Sequence, residues 1–179
     1  MFTYKDNSNI PFGKIIQKIS IDSVDITVYS NGKSDFIDTK KNYDKEGNYL
    51  GIRYQCVEFV RRYIYKRDGI NLALLHKEGN ADTWHSNREL MKLESIDPHK
   101  VQIGDIPCFQ GGHTGHIAIV SDIDEKYVYM TSQNLYNTEE EIHFPLDKAS
   151  FFKKNIQLEN QLEETFILES VLRVPSSMP

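Results

Sequence analysis

Cysteine is almost missing from this chain, with Cys56 and Cys108 the two present among 179 residues. Two cysteines make no disulfide framework, so the expected address is a reducing, cytoplasmic one. An excess of positive charge is missing as well. A formal net charge of −5 offers no basic surface of the kind a phosphate backbone needs, which sets nucleic acid aside as a partner. The basic pairs Lys40-Lys41, Arg61-Arg62 and Lys153-Lys154 are short, and the outer two read as solvated faces. No apolar run reaches the roughly 18 residues a membrane helix needs, and Met1-Phe2-Thr3-Tyr4-Lys5-Asp6 lacks the apolar core of a secretory signal. With no internal repeat and no low-complexity linker, residues 1–179 read as a single domain with neither membrane nor nucleic acid as a partner.

What is present is punctuated periodicity. Pro11-Phe12-Gly13 sets a turn, and Val24 to Tyr29 alternates with period two, as a half-buried strand does. Residues 31–50 are rich in Asn, Asp, Lys and Gly and read as a long loop. From Gln55 to Arg67, Val57, Val60 and Ile64, with Phe59 and Tyr63 beside them, keep a helical spacing that Asp68-Gly69 should end. Residues 81–95 read as a second helix, capped by Asp82 or Thr83, with Trp84, Leu90 and Leu93 inward. Strands are expected at 105–109, 116–121, 127–133 and 166–174, with the turn 122–126 closing an antiparallel hairpin. Helices early and strands late give an α+β fold.

Cys56 falls where the first helix begins. The unpaired amides of a helix's first turn carry partial positive charge, so a thiol there should ionise more easily. Cys108, in an apolar strand, has no such help and reads as core. His116 heads the strand His116-Ile117-Ala118-Ile119-Val120 and is the candidate base, because a base must be held within reach of its nucleophile. His113, in Gly111-Gly112-His113-Thr114-Gly115, competes from a looser position. His113, His116 and Cys108 would also give two or three soft ligands, but no paired Cys-x-x-Cys accompanies them, and no metal or other cofactor is expected. The third group that fixes a catalytic imidazole should come from Ser132, Gln133 or Asn134. If the hairpin turns through Ile123-Asp124-Glu125, Ser132 faces His116 and Asn134 shares that face. A one-residue slip would present Gln133 instead.

These residues resemble the CHAP (cysteine, histidine-dependent amidohydrolase/peptidase) family of papain-like folds, and within it the glutathionylspermidine amidases. The likeness covers most of the chain: Pro11-Phe12-Gly13, Gly51 to Arg62 against Trp-Gln-Cys-Val-Glu-Phe-Ala-Arg-Arg, Gly79-Asn80-Ala81 with Trp84, Gly104-Asp105-Ile106, and Thr114 to Ile119. The resemblance implies a cysteine-bearing helix on an antiparallel sheet that carries the histidine. It also implies amide hydrolysis through a thioester, with Cys56 as nucleophile and His116 as base and then acid. Gln55 and the Cys56 amide become candidate oxyanion donors, and Arg61 a candidate to order substrate or loop. The implied partner is a small-molecule amide, such as a glutathione–polyamine conjugate. One position departs: the family's Ala-Glu-Gln-Asn is Thr131-Ser132-Gln133-Asn134 here. Serine carries no charge to stabilise an imidazolium, so either Asn134 takes the orienting role or the site is weakened. Peptidoglycan hydrolysis, a secreted effector hydrolase, and a weakened binding module for a polyamine or thiol conjugate are the competing readings.

Overall fold

The computed structural model describes residues 11–32, 40–77, 79–135, 143–159 and 164–176. The first elements among the described residues form a hairpin of β1 (Ile15–Ile21) and β2 (Val24–Tyr29). Its two turn residues, Asp22 and Ser23, both have positive φ, at 49° and 63°. Such a turn matches the twist of the strands it joins. Part of the expected loop is a second hairpin, β3 (Lys41–Tyr43) with β4 (Tyr49–Ile52). Its polarity is turn chemistry: Asp44 Oδ1 accepts from the amides of Glu46 (3.0 Å) and Asn48 (2.7 Å).

Helix α1 (Cys56–Asp68) forms over nearly the expected residues. Gly69 ends it in the left-handed conformation (φ 73°), its amide donating to the Tyr65 carbonyl at 2.9 Å. A single turn, α2 (Leu72–Leu75), follows, with the Asn71 side chain accepting from the Ala73 amide. The helix expected over 81–95 does not form. A 3₁₀ turn, Ala81–Thr83, gives way to irregular turns and then to β5 (Glu94–Ile96). The amide bonds of this segment mix i−4 spacing (Asn87 to Thr83, 3.0 Å; Met91 to Asn87, 3.2 Å) with i−3 spacing (Arg88 to His85, 3.4 Å; Lys92 to Glu89, 3.0 Å), so no regular helix propagates. Trp84 and Leu93 are buried, but Leu90 is 62% exposed, not inward.

The second half is mostly strand: β6 (Ile106–Gly111), β7 (His116–Ile117), β8 (Ile119–Ile123), β9 (Tyr127–Thr131) and β10 (His143–Asp147). After the short helix α3 (Lys148–Phe152) come β11 (Gln157–Glu159) and the closing strand β12 (Thr165–Arg173). One sheet runs β11-β12-β6-β7 with β5 added on β12, and a second runs β10-β9-β8. Every pairing among the described residues is antiparallel, and the fold is α+β. No helix among the described residues is long and apolar enough to cross a membrane.

Two cores share β6 and the chain from Ile117 to Val120. Ile106, Cys108 and Ile117 pack with Phe59, Val60, Tyr63 and Ile64 of α1. Phe109 and Ala118 pack instead with Val120, Val128, Met130 and Phe166. The period-two alternation of a strand explains the split. Close approach of β4 to α1 requires glycine at position 51, where a Cβ would lie 2.8 Å from Glu58 Cβ and 2.9 Å from its Cα. Gly51→Ala should therefore destabilise the fold by about 1–3 kcal/mol, the usual cost of overpacking, as read by urea unfolding.

Candidate active site

Gln55 stands at the N-cap of α1 in extended conformation (φ −83°, ψ 160°), but its side chain makes no cap bond. Its amide is turned sideways: Oε1 accepts from Asn134 Nδ2 at 2.7 Å, and Nε2 reaches Asn31 Oδ1 at 3.4 Å. Asn134 holds a left-handed backbone (φ 63°), a conformation asparagine tolerates better than most residues. Its Oδ1 is buried with no hydrogen-bond partner among the described residues.

Cys56 begins α1 and is 9% exposed. Burial pushes its thiol up to about 11, against amides of Ile117, Val57 and Cys56 itself that favour the thiolate. The expectation of an easily ionised thiol is thus overturned in this resting state. The helix start pulls in the predicted direction, but desolvation of the charge is larger. The amide of Ile117 also locates the sulfur: it lies against β7, at the residue that follows His116.

His116 is 3% exposed and pairs with Phe109 across β6–β7, its ring 5.9 Å from that of Phe166. Burial holds its imidazole far below the usual range, near 3. Nε2 is hydrogen-bonded to Ser132 Oγ. Ser132 gets there by a route other than the expected ladder. The turn is built by Asp124 Oδ1, which accepts from the amides of Lys126 (2.7 Å) and Tyr127 (2.6 Å), and the register pairs Ile119 with Thr131. The two strand pairings stop short of each other, β7 ending at Ile117 and β9 at Thr131. Ser132 turns onto the imidazole just past the end of β9. Asn134 pairs with Gln55 and Gln133 with Glu58, so of the three candidates for the third position Ser132 is the one on the imidazole.

Arg61 is 2% exposed, and its guanidinium is spent on backbone: Nη1 donates to the Leu50 carbonyl at 3.3 Å and Nη2 to that of His76. Burial lowers its pKa to about 10. The charge centre lies 6.0 Å from the Trp84 ring. Arg61 thereby braces the segment containing Asn80 and Ala81. That segment in turn meets the histidine loop, where the Asp82 amide donates to the Thr114 carbonyl at 3.0 Å. The Arg61 bonds thus go to backbone at Leu50 of β4 and at His76 after α2. His113 is set apart, with a 95% exposed side chain 3.8 Å from Glu164. Cys108 is 1% exposed, its thiol raised by burial.

Sequence reasoning missed the polar cluster beneath the site. Glu58 is fully buried, with Oε1 accepting from Arg62 Nε and Asn42 Nδ2, both at 2.7 Å. Its Oε2 accepts from Gln133 Nε2 at 3.1 Å. The i,i+4 spacing of Glu58 and Arg62 was the available signal. An aromatic wall stands beside Gln55, with Tyr54 stacked on Tyr29 (4.6 Å) and tilted against Phe12 (5.0 Å).

A CHAP domain model matches residues 45–134, half of the chain, from just before β4 to Asn134. The chain belongs to the CHAP family. CHAP domains are generally cysteine-dependent amide hydrolases, and the matched segment contains Cys56, His116 and Ser132. A trypanothione synthetase of Crithidia fasciculata is 23% identical over 120 residues, covering 61% of this chain. The chain spans only 18% of that relative's length.

Two measurements follow from the buried pair. An unfolded imidazole takes its proton near 6.5, whereas His116 stays neutral down to about 3. The unfolded state binds more protons between those values, so this contribution is fully present above 6.5 and is lost as pH falls toward 3. The stability advantage of the wild type over His116→Gln should shrink by roughly 2 kcal/mol between about pH 6.5 and about pH 5, in urea unfolding. Alkylation of Cys56 by iodoacetamide, followed by mass spectrometry, should still be rising at about pH 9.5, beyond the midpoint of a free thiol.

Proposed function

We propose that this chain is a cysteine amide hydrolase with a papain-like arrangement, in which Cys56 attacks a substrate carbonyl and His116 carries the proton. The single observation that supports it most is the Ile117 amide on the Cys56 thiol, which brings the helix start to the strand that bears His116. With Nε2 of His116 committed to Ser132, Nδ1 is the nitrogen to take the thiol proton. That tautomer needs Nε2 protonated and Ser132 Oγ accepting.

The thiol and imidazole are both neutral at rest, so proton transfer must accompany substrate attack rather than precede it. Sulfur bonds to the carbonyl carbon, the proton passes to His116, and the oxyanion meets the Cys56 amide and the Gln55 carboxamide. Collapse breaks the C–N bond, and the imidazolium returns its proton to the departing amine. Water activated by His116 then cleaves the thioester, releasing the acid and the free thiol. Asn134 supports this by holding Gln55 Oε1, which turns the other end of that carboxamide away from Asn134.

For the substrate, we read a small-molecule amide such as glutathionylspermidine, supported by the match to a trypanothione synthetase and by the likeness of the cysteine helix to the glutathionylspermidine amidases. Both cysteines are free thiols, which suits the cytoplasmic address that we propose with it. A second reading keeps one observation in its favour. Ser132 gives the imidazolium no counter-charge, which suits a cleft that binds such a conjugate and turns it over slowly.

Incubation with glutathionylspermidine should release spermidine, and Cys56→Ala should abolish release. Release from neither glutathionylspermidine nor peptidoglycan fragments would contradict the hydrolase reading. Ser132→Glu supplies the missing carboxylate and should raise kcat on the order of 10-fold or more, since an orienting acid is worth orders of magnitude in related triads. An unchanged kcat would show that serine suffices.

A further inference from the structure

Gln133 makes four side-chain hydrogen bonds near the reacting groups, and no catalytic role falls to it. It is fully buried. Oε1 accepts from the Tyr29 amide at 3.0 Å and from Arg62 Nη2 at 3.4 Å. Nε2 donates to Glu58 Oε2 at 3.1 Å and to the Gln55 carbonyl at 3.3 Å. Two donors and two lone pairs are all engaged, which is the full capacity of a carboxamide.

The Gln55 carbonyl is the decisive partner. It also accepts the first bond of α1, from the Phe59 amide at 3.1 Å, and it directly precedes Cys56. On the other side, the backbone neighbours of Gln133 are Ser132, which holds the imidazole, and Asn134, which holds Gln55. One buried amide therefore links the start of the cysteine helix, the first hairpin and the segment that orients the histidine.

We propose that Gln133 is a positioning residue that fixes the start of α1 against the 132–134 segment, and through them fixes Cys56 relative to His116. The proposal rests on reading Cys56 and His116 as the reacting pair. A residue without a donor at this position cannot hold the Gln55 carbonyl. A glutamate would face Glu58 as well, turning an attraction into a like-charge contact.

The test compares Gln133→Glu with the exchange Gln133→Glu plus Glu58→Gln. The exchange restores a donor–acceptor pair between positions 58 and 133 but removes the side-chain donor on the Gln55 carbonyl, leaving it the Phe59 amide alone. Three quantities are read: melting temperature, iodoacetamide alkylation of Cys56, and kcat and KM for glutathionylspermidine. The exchange should regain most of the melting temperature that the single variant loses. It should still alkylate about tenfold faster than wild type, because a loosened helix start admits water and reagent to the thiol. It should also show kcat lowered about tenfold with KM little changed. Alkylation and kcat returning with the melting temperature would overturn the proposal. So would an exchange that fails to regain stability, because the Gln55 bond would then belong to what holds the fold. If the wild type hydrolyses no amide, the hydrolase reading fails by itself and the alkylation comparison still decides on Gln133.

Discussion

The buried carboxylate of Glu58 is the constraint from which the rest of this architecture follows. A charge removed from water must be paired and hydrogen-bonded, and removing one partner of such a pair typically costs about 3–5 kcal/mol. Glu58 answers that demand with Arg62 from its own helix, Asn42 from the small hairpin and Gln133 from beyond β9. Arg62 extends the cluster to the first hairpin through the Thr27 carbonyl at 2.7 Å. Satisfying one carboxylate thereby gathers three other parts of the chain around the first turn of α1. The missing Cβ of Gly51 lets β4 come close enough to cover it.

On top of that cluster sits a pair whose electrostatics oppose ionisation. A cysteine at a helix start is expected to be acidic, yet the thiol is raised to about 11 and the imidazole lowered to about 3. Burial decides both, because each charged form would lose its hydration. A carboxylate beside His116 would shift the balance toward imidazolium. Ser132 supplies a hydrogen bond without that charge, which orients the ring and leaves it neutral. The site is thus built for geometry more than for a standing ion pair.

Much of this was legible in the sequence, for identifiable reasons. Helix α1, β2 and the closing strand stand close to where periodicity puts them, since each buries one face against a core and ends at a turn residue such as Gly69. Apolar spacing at Trp84 and Leu93 reads as a helix over 81–95, but the amide bonds there mix i−3 and i−4 partners, which spacing does not reveal. The β3–β4 hairpin was hidden by the polar residues that build its turn. Register was out of reach: the Asp124 turn shifts the ladder, and Ser132 meets His116 only because the strand pairings end before it. Arg61 and Gln133 show a further limit, since spacing places a polar residue near a site without saying what it bonds.

The neutral state of the pair is the central claim, and the ring nitrogens of His116 report it directly. Nitrogen-15 chemical shifts of the imidazole should show one protonated nitrogen, Nε2, and one bare nitrogen, Nδ1, unchanged from about pH 8 to about pH 5. Two protonated nitrogens near pH 7 would mean a resting thiolate–imidazolium pair and would contradict the account.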